Sequence, residues 1–251
     1  FSQKSDDFVN LMSSGEGTHE NGEWEERQKE MTDWYQNLLP DLSSASSLFE
    51  HDYHPFKEYL SKLRGEVLDI GGGVGVVRHY LDENANYIVV DPSLDWLGSD
   101  WRLLAKTFPC LKQPPNFIYG KGEYLMFKDN SFDSVLSFWS INHVSHPSKV
   151  FDEVQRVLKP GGKFLVVFED MEPRWSDFVG PSIHRQFKGE DHWNLISSKF
   201  KATFLKHKWP VQSDHLLITD KDIKRWIRFH FRQVGRAWKG TFLTCEFEKI
   251  K

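Results

Sequence analysis

Hydrophobic positions fall into two regimes along the chain. From residue 66 onward, short apolar-rich runs alternate with stretches in which apolar residues recur every three or four positions. The runs at 66–70, 87–90, 116–119, 132–138 and 163–168 read as strands, continuous in the way of strands buried on both faces. The periodic stretches at 74–84, 94–108 and 147–158 read as helices, the last closed by Lys159-Pro160-Gly161-Gly162. A further helix, capped by Thr219 or Asp220, is expected to reach about His230. Segments 231–238 and 241–250 then read as two strands turning at Lys239-Gly240, so the sheet should end in an antiparallel strand. Strands alternating with amphipathic helices predict an α/β fold with a parallel sheet covered on both sides.

The first 50 residues follow the other regime. They are polar and broken by turn-rich pieces at Ser13-Ser14-Gly15, Asn21-Gly22 and 43–47. One helix is expected over 23–39, with Trp24, Met31, Trp34, Tyr35 and Leu38 as its apolar stripe. Residues 1–55 therefore read as an N-terminal helical segment, and 56–251 as the main domain. Residues 172–215 are too many for a plain crossover after the fifth strand. They are read as an inserted cap, with one helix at about 191–207.

Composition narrows the class. Hydrophobic residues make up 39% and charged residues 27%, which suits a globular domain. No run approaches the roughly 18–20 apolar residues of a membrane span, so no membrane partner is expected. Two cysteines, Cys110 and Cys245, make no disulfide framework and point to a cytoplasmic setting. The first residue is Phe1, so a preceding segment is left open. Net charge is −4, unevenly spread: residues 1–52 hold 12 acids and 3 bases, residues 184–251 hold 15 bases and 7 acids. The basic C-terminal third allows an anionic small-molecule partner. No basic helix with interleaved aromatics argues for nucleic acid. The oligomeric state is left open.

The chemistry concentrates at Val67-Leu68-Asp69-Ile70-Gly71-Gly72-Gly73-Val74-Gly75, between the first strand and the first helix. Glycines there let the backbone turn sharply and approach a ligand closely. Asp91, 22 residues after Asp69, ends the second strand, where a carboxylate can accept both hydroxyls of a ribose. A dinucleotide site is an alternative, but its third glycine position is occupied by Val76.

The motif resembles the first motif of class I S-adenosylmethionine-dependent methyltransferases. Asp91-Pro92-Ser93 resembles the acidic end of their second strand. Gly120-Lys121-Gly122-Glu123-Tyr124-Leu125-Met126-Phe127 resembles their adenine-lining segment, with Lys121 where Asp is usual and Met126 where Pro is. Asp129-Asn130-Ser131-Phe132-Asp133 and Arg156-Val157-Leu158-Lys159-Pro160-Gly161-Gly162 resemble their blocks before strands four and five. The small-molecule branch that includes quinone-biosynthesis methyltransferases is the nearest pattern. The resemblance implies a Rossmann-like, doubly wound seven-stranded sheet in the order 3-2-1-4-5-7-6, and S-adenosylmethionine as cofactor. It implies that Asp69, Gly71, Gly72 and Gly73 hold the methionine end and that Asp91, followed by Pro92, holds the ribose. Gly122 and Glu123 would border the adenine, and Ser137 would close the pocket.

The expected reaction is methyl transfer to an O or N atom of a small acceptor, such as a sugar derivative or secondary metabolite. His143 is the candidate acid/base, because an imidazole titrates near neutrality. Packing under the cofactor is its competing reading. Trp139, Tyr35, Trp175, His184, His192 and Trp193 are candidates for the acceptor pocket. The pairs His51/His54 and His143/His146 lack a second ligand set, and no metal is expected. The other functional readings are an NAD(P)-dependent oxidoreductase and a non-catalytic methyltransferase-like subunit.

Overall fold

The computed structural model describes residues 9–10, 29, 33, 37, 42–92, 116–169, 171, 216–239 and 242–251, with only the backbone of 9–10, 42–46 and 49. Eight strands form one sheet: β1 (Val9–Asn10), β2 (Glu66–Ile70), β3 (Asn86–Asp91), β4 (Asn116–Tyr119), β5 (Phe132–Phe138), β6 (Leu158–Phe168), β7 (Phe231–Lys239) and β8 (Phe242–Lys249). Their order is β1-β4-β3-β2-β5-β6-β8-β7. Counted from Glu66, this is the expected 3-2-1-4-5-7-6. The pairs from β1 to β6 are parallel, and β8 runs antiparallel to both β6 and β7. The two-residue β1 on the edge of β4 is an addition that the sequence pattern did not reveal.

Both faces of the sheet are buried, as unbroken apolar strands require. On one face Val67, Tyr87, Val89, Leu136 and Phe138 pack against Tyr53 of α1 (Leu42–Tyr53), Leu60 of α2 (Lys57–Leu60), and Val76, Val77 and Tyr80. On the other, Leu68, Ile70, Val90 and Val135 meet Val150, Phe151, Val154 and Val157 of α3 (Pro147–Val157) and Ile223 of α4 (Asp220–Ile227). The one-residue alternation of Val67 and Leu68 between these clusters is the strand period made visible.

The motif residues around Asp133 and Lys159 knit the bottom of the sheet. Lys159 Nζ lies 2.8 Å from both oxygens of Asp133, and Asp133 Oδ2 accepts the Glu66 N–H at 2.9 Å. Arg156 donates to the carbonyls of Leu125 and Phe127 and pairs with Glu153, so α3 clamps the 125–127 segment. These blocks hold the frame together.

Three local expectations change. The helix expected over 74–84 is a 3-10 turn, Val76–Tyr80. Gly75 precedes it at φ 74°, outside helical space, and the β-branched pair Val76-Val77 disfavours an α-helical start. Residues 159–162 do not end outside the sheet. They are the first part of β6, taken up by a register shift against β5. The serine-rich piece at 43–47 is helical, within α1, whose Tyr53 is anchored among Tyr80, Phe138 and Trp139. Lys29, Asp33 and Asn37 are helical and exposed, one polar face at four-residue spacing. The stripe Trp24, Met31, Trp34, Tyr35 and Leu38 lies outside the described residues, as do the cap at 172–215 and the helix expected over 94–108.

Helix α4 starts with a full capping box: Thr219 Oγ1 accepts from Asp222 N, and the Asp222 carboxylate accepts from Thr219 N. Thr219→Ala should lower stability by about 1 kcal/mol, read as a shift in the urea midpoint with unchanged slope.

Candidate active site

The glycine turn leaves the end of β2 with three left-handed residues, Gly71 (φ 69°), Gly73 (φ 51°) and Gly75 (φ 74°). A side chain at Gly71 would also collide: a Cβ there would sit 2.3 Å from Ser140 Cβ. The turn is fixed from β3 by two bonds. Gly71 N–H donates to Val90 O at 2.8 Å, and Gly73 N–H donates to Asp91 Oδ2 at 2.9 Å. Asp69 and Asp91 thus stand on one face of neighbouring strand ends, on either side of the turn.

Asp69 is 1% exposed. Its Oδ2 accepts the Tyr87 hydroxyl at 2.5 Å, and its Oδ1 is buried with no hydrogen-bond partner. Burial raises its pKa, the Tyr87 bond pulls it back, and the nearby Asp91 charge raises it again, to about 7. A buried acceptor oxygen without a donor, beside a second carboxylate, suits a site that receives a cation. Together with a backbone bend open to close approach, this donor set fits the methionine end of S-adenosylmethionine.

Of the remaining cofactor candidates, Pro92 follows Asp91 directly. Gly122 packs so tightly beneath the site that a Cβ would lie 2.6 Å from Ile70 Cγ2. Glu123 is buried, and its Oε1 accepts the N–H groups of Ser145 and His146 at 3.0 and 3.2 Å, at the start of α3. Ser137 is fully buried, its hydroxyl 2.5 Å from that of Ser140. Ser140 Oγ in turn donates to Ile70 O at 2.8 Å.

The segment after β5 carries the rest. Trp139 has φ 53°, a left-handed backbone that costs a bulky residue about 1–3 kcal/mol. Its ring meets Tyr53, Phe56, Phe138 and Phe242 at centroid distances of 5.0–6.3 Å, and its indole N–H is buried without a partner. One 3-10 turn later, His143 is 8% exposed, with Nε2 3.0 Å from Glu169 Oε2 just beyond β6. Asn142 braces that pair: its Oδ1 accepts the Glu169 N–H, and its Nδ2 donates to Leu216 O.

The structure therefore gathers Asp69, Gly71, Gly72, Gly73, Asp91, Ser137, Trp139 and His143 around the C-terminal ends of β2, β3 and β5. Tyr35, Trp175, His184, His192 and Trp193 lie outside the described residues. Sequence reasoning missed Glu169, Ser140, Asn142 and Tyr87. Glu169 had a signal, an acid directly after a buried strand on the ligand side of a parallel sheet; Ser140 and Tyr87 had none. His51 and His54 are surface residues facing Asp52 and Glu50. Among the described residues no three His, Cys, Asp or Glu side chains cluster as metal ligands. No helix among them is long and apolar enough to cross a membrane.

Known proteins share this framework. Residues 68–166 match the family model described as a methyltransferase domain. The ubiquinone/menaquinone biosynthesis C-methyltransferase UbiE of Brucella canis is 29% identical over 168 residues, 61% of this chain and 60% of that protein. A demethylmenaquinone methyltransferase of Renibacterium salmoninarum is 36% identical over 114 residues, 45% of this chain and 44% of that protein. The chain thus spans less than two thirds of either relative. A crystal structure of a Pyrococcus horikoshii protein superposes with a TM-score of 0.54 at 22% identity, covering 82% of this chain and 92% of that one.

The elevated Asp69 pKa has a stability consequence. With the unfolded value near 3.8, the folded protein holds the proton more tightly, so its stability falls as pH rises from about 4 to about 7. Asp69→Asn should stabilise the empty protein at pH 8 by about 2–4 kcal/mol and by no more than about 1 kcal/mol at pH 4.5. Urea unfolding at the two pH values measures this.

Proposed function

We propose that the chain carries a class I S-adenosylmethionine-dependent methyltransferase domain and methylates a small hydroxylated acceptor held beyond the ends of β5 and β6. The observation that carries this reading is the His143–Glu169 pair, 3.0 Å apart, beside a turn built for the cofactor. When bound, S-adenosylmethionine supplies a methyl group already activated on a sulfonium.

The residues then have separable tasks. Asp69 and the glycine turn hold the methionine end, and Asp91 exchanges its bond to Gly73 for the ribose hydroxyls. Trp139 walls the acceptor, its unused indole N–H offering a donor to an acceptor oxygen. Glu169 fixes the imidazole ring, so that His143 takes the proton from the acceptor hydroxyl as that group becomes nucleophilic. Alignment of nucleophile, methyl carbon and sulfur remains the larger contribution.

Loss of the hydroxyl proton makes the oxygen itself reactive, giving an O-methyl product of a sugar derivative or secondary metabolite. On a phenolic ring it equally makes a ring carbon reactive. The C-methyltransferase name of the Brucella relative favours that second outcome. The basic C-terminal third leaves room for an anionic acceptor. The intact glycine turn with both acids weighs against a non-catalytic subunit, and the methyltransferase match over 68–166 weighs against the oxidoreductase.

Asp91→Ala should weaken S-adenosylmethionine binding by about 1–3 kcal/mol in calorimetry; unchanged affinity would misplace the ribose. His143→Ala and Glu169→Gln should each cut turnover at least tenfold with donor affinity intact, the glutamine variant also shifting the pH–rate profile. Turnover on a panel of phenols, sugars and amines, with the methyl position read by NMR, identifies the acceptor atom. Full activity of His143→Ala would assign that histidine to structure alone.

A further inference from the structure

On the face of the sheet away from α3 and α4 lies a cavity of about 210 Å³ that the proposed reaction does not use. Phe56 and Tyr59 of α2 form its outer wall; Leu165 of β6, Thr244 and Glu246 of β8 and Lys239 of β7 form its inner one. Strand alternation sends the neighbouring Arg236 to the other face, where its guanidinium lies 3.8 Å from Asp220 of α4. The cation of the cavity, among the described residues, is therefore Lys239. Its Nζ donates to the Pro55 carbonyl at 2.7 Å and lies 4.1 Å from the centre of the Phe56 ring. Burial lowers its pKa, and no carboxylate among the described residues acts against that.

The other end of the cavity is an acid. β7 shifts register between Gln233 and Gly235, and the bare Gly235 leaves room for Glu246 to lie across it. A Cβ at Gly235 would sit 3.1 Å from Glu246 Cβ and 3.4 Å from its Oε2. The Tyr59 phenol faces this carboxylate, and burial, then the Glu246 charge, keeps it protonated. Between the two ends Thr244 Oγ1 is sealed from solvent with no hydrogen-bond partner, a cost that a ligand hydroxyl would remove. Lys239 pairs with Phe242, so the strand runs about 13 Å from the cation to Glu246.

We propose that this cavity is a second ligand site, apart from the acceptor seat beside Trp139, and that it takes a single-ring aromatic carboxylate with a hydroxyl at its far end. The carboxylate meets Lys239, the ring lies between Phe56 and Leu165, and the hydroxyl reaches Thr244 and Glu246. The volume lies below the roughly 300 Å³ at which pockets for larger ligands begin, which limits the occupant to one ring. A second anionic group would face Glu246, and a neutral ring would leave Lys239 without a counter-ion. The Phe56 ring also meets Phe138 and Trp139 at 5.0 and 6.3 Å, so the two sites share a wall.

Calorimetry on the full chain tests this with three probes: para-hydroxyphenylacetate, phenylacetate and para-hydroxyphenylethanol. The first should bind at one site per chain. The other two, each lacking one polar end, should bind about tenfold or more weakly. Lys239→Met keeps the stem and removes the charge, and should make para-hydroxyphenylacetate bind no better than the alcohol. Thr244→Val should weaken para-hydroxyphenylacetate about tenfold and leave phenylacetate unchanged. His143→Ala should leave binding at the cavity intact. Circular dichroism checks the fold of each variant; if one fails to fold, the three-probe comparison on the unaltered chain still decides. No binding of para-hydroxyphenylacetate, equal binding of all three probes, or binding lost in His143→Ala but kept in Lys239→Met would overturn the proposal.

Discussion

The hydroxyl of Ser140 reaches from the end of β5 to the carbonyl of Ile70 at 2.8 Å, while its Cβ fills the space a side chain at Gly71 would need. The glycine turn and the segment that carries Trp139 and His143 are thereby tied to each other. On the function proposed above, a shift of either would part groups that must align within a fraction of an ångström. The bare left-handed Gly71 and the strained Trp139 backbone sit on either side of this contact. Strain of that kind persists where the surroundings over-determine a conformation, and it clusters where a ligand must be positioned.

The parallel sheet explains why these groups meet at all. β2, β3, β5 and β6 all point the same way, so Asp69, Asp91, Ser140 and Glu169, separated by as much as 100 residues of chain, arrive at one edge of the molecule. The opposite edge carries bonds that brace the strands, such as Lys159 with Asp133 and Lys249 with Asn130. Chemistry and scaffold are divided between the two ends of the same strands.

This division also decides what could be read from the sequence. Strands β2, β4 and β5 were legible to the residue, because unbroken apolar runs flanked by glycine and polar turns have few other uses. The turn and both acids were legible because spacing alone marks them. The helix after the turn was not, since a third left-handed glycine and two adjacent valines outweigh the amphipathic period. Glu169 and Tyr87 matter through a partner on another element, Glu169 through His143 and Tyr87 through Asp69. No local pattern encodes such a meeting, which is set by register: Tyr87 lies opposite Val67, two residues before Asp69.

The borders of the sheet have a consequence for how the chain behaves among copies of itself. An uncovered strand offers its free amides and carbonyls to any neighbour in solution. Here β1 occupies the outer side of β4, and at the far border β7 is interrupted by a register shift between Gln233 and Gly235 and flanked by exposed Arg232. A kinked, charged border is a poor template for an incoming strand. Among the described residues, the sheet thus ends in a two-residue strand on one side and a kinked, charged strand on the other, so it need not close into a barrel to spare itself a long flat edge.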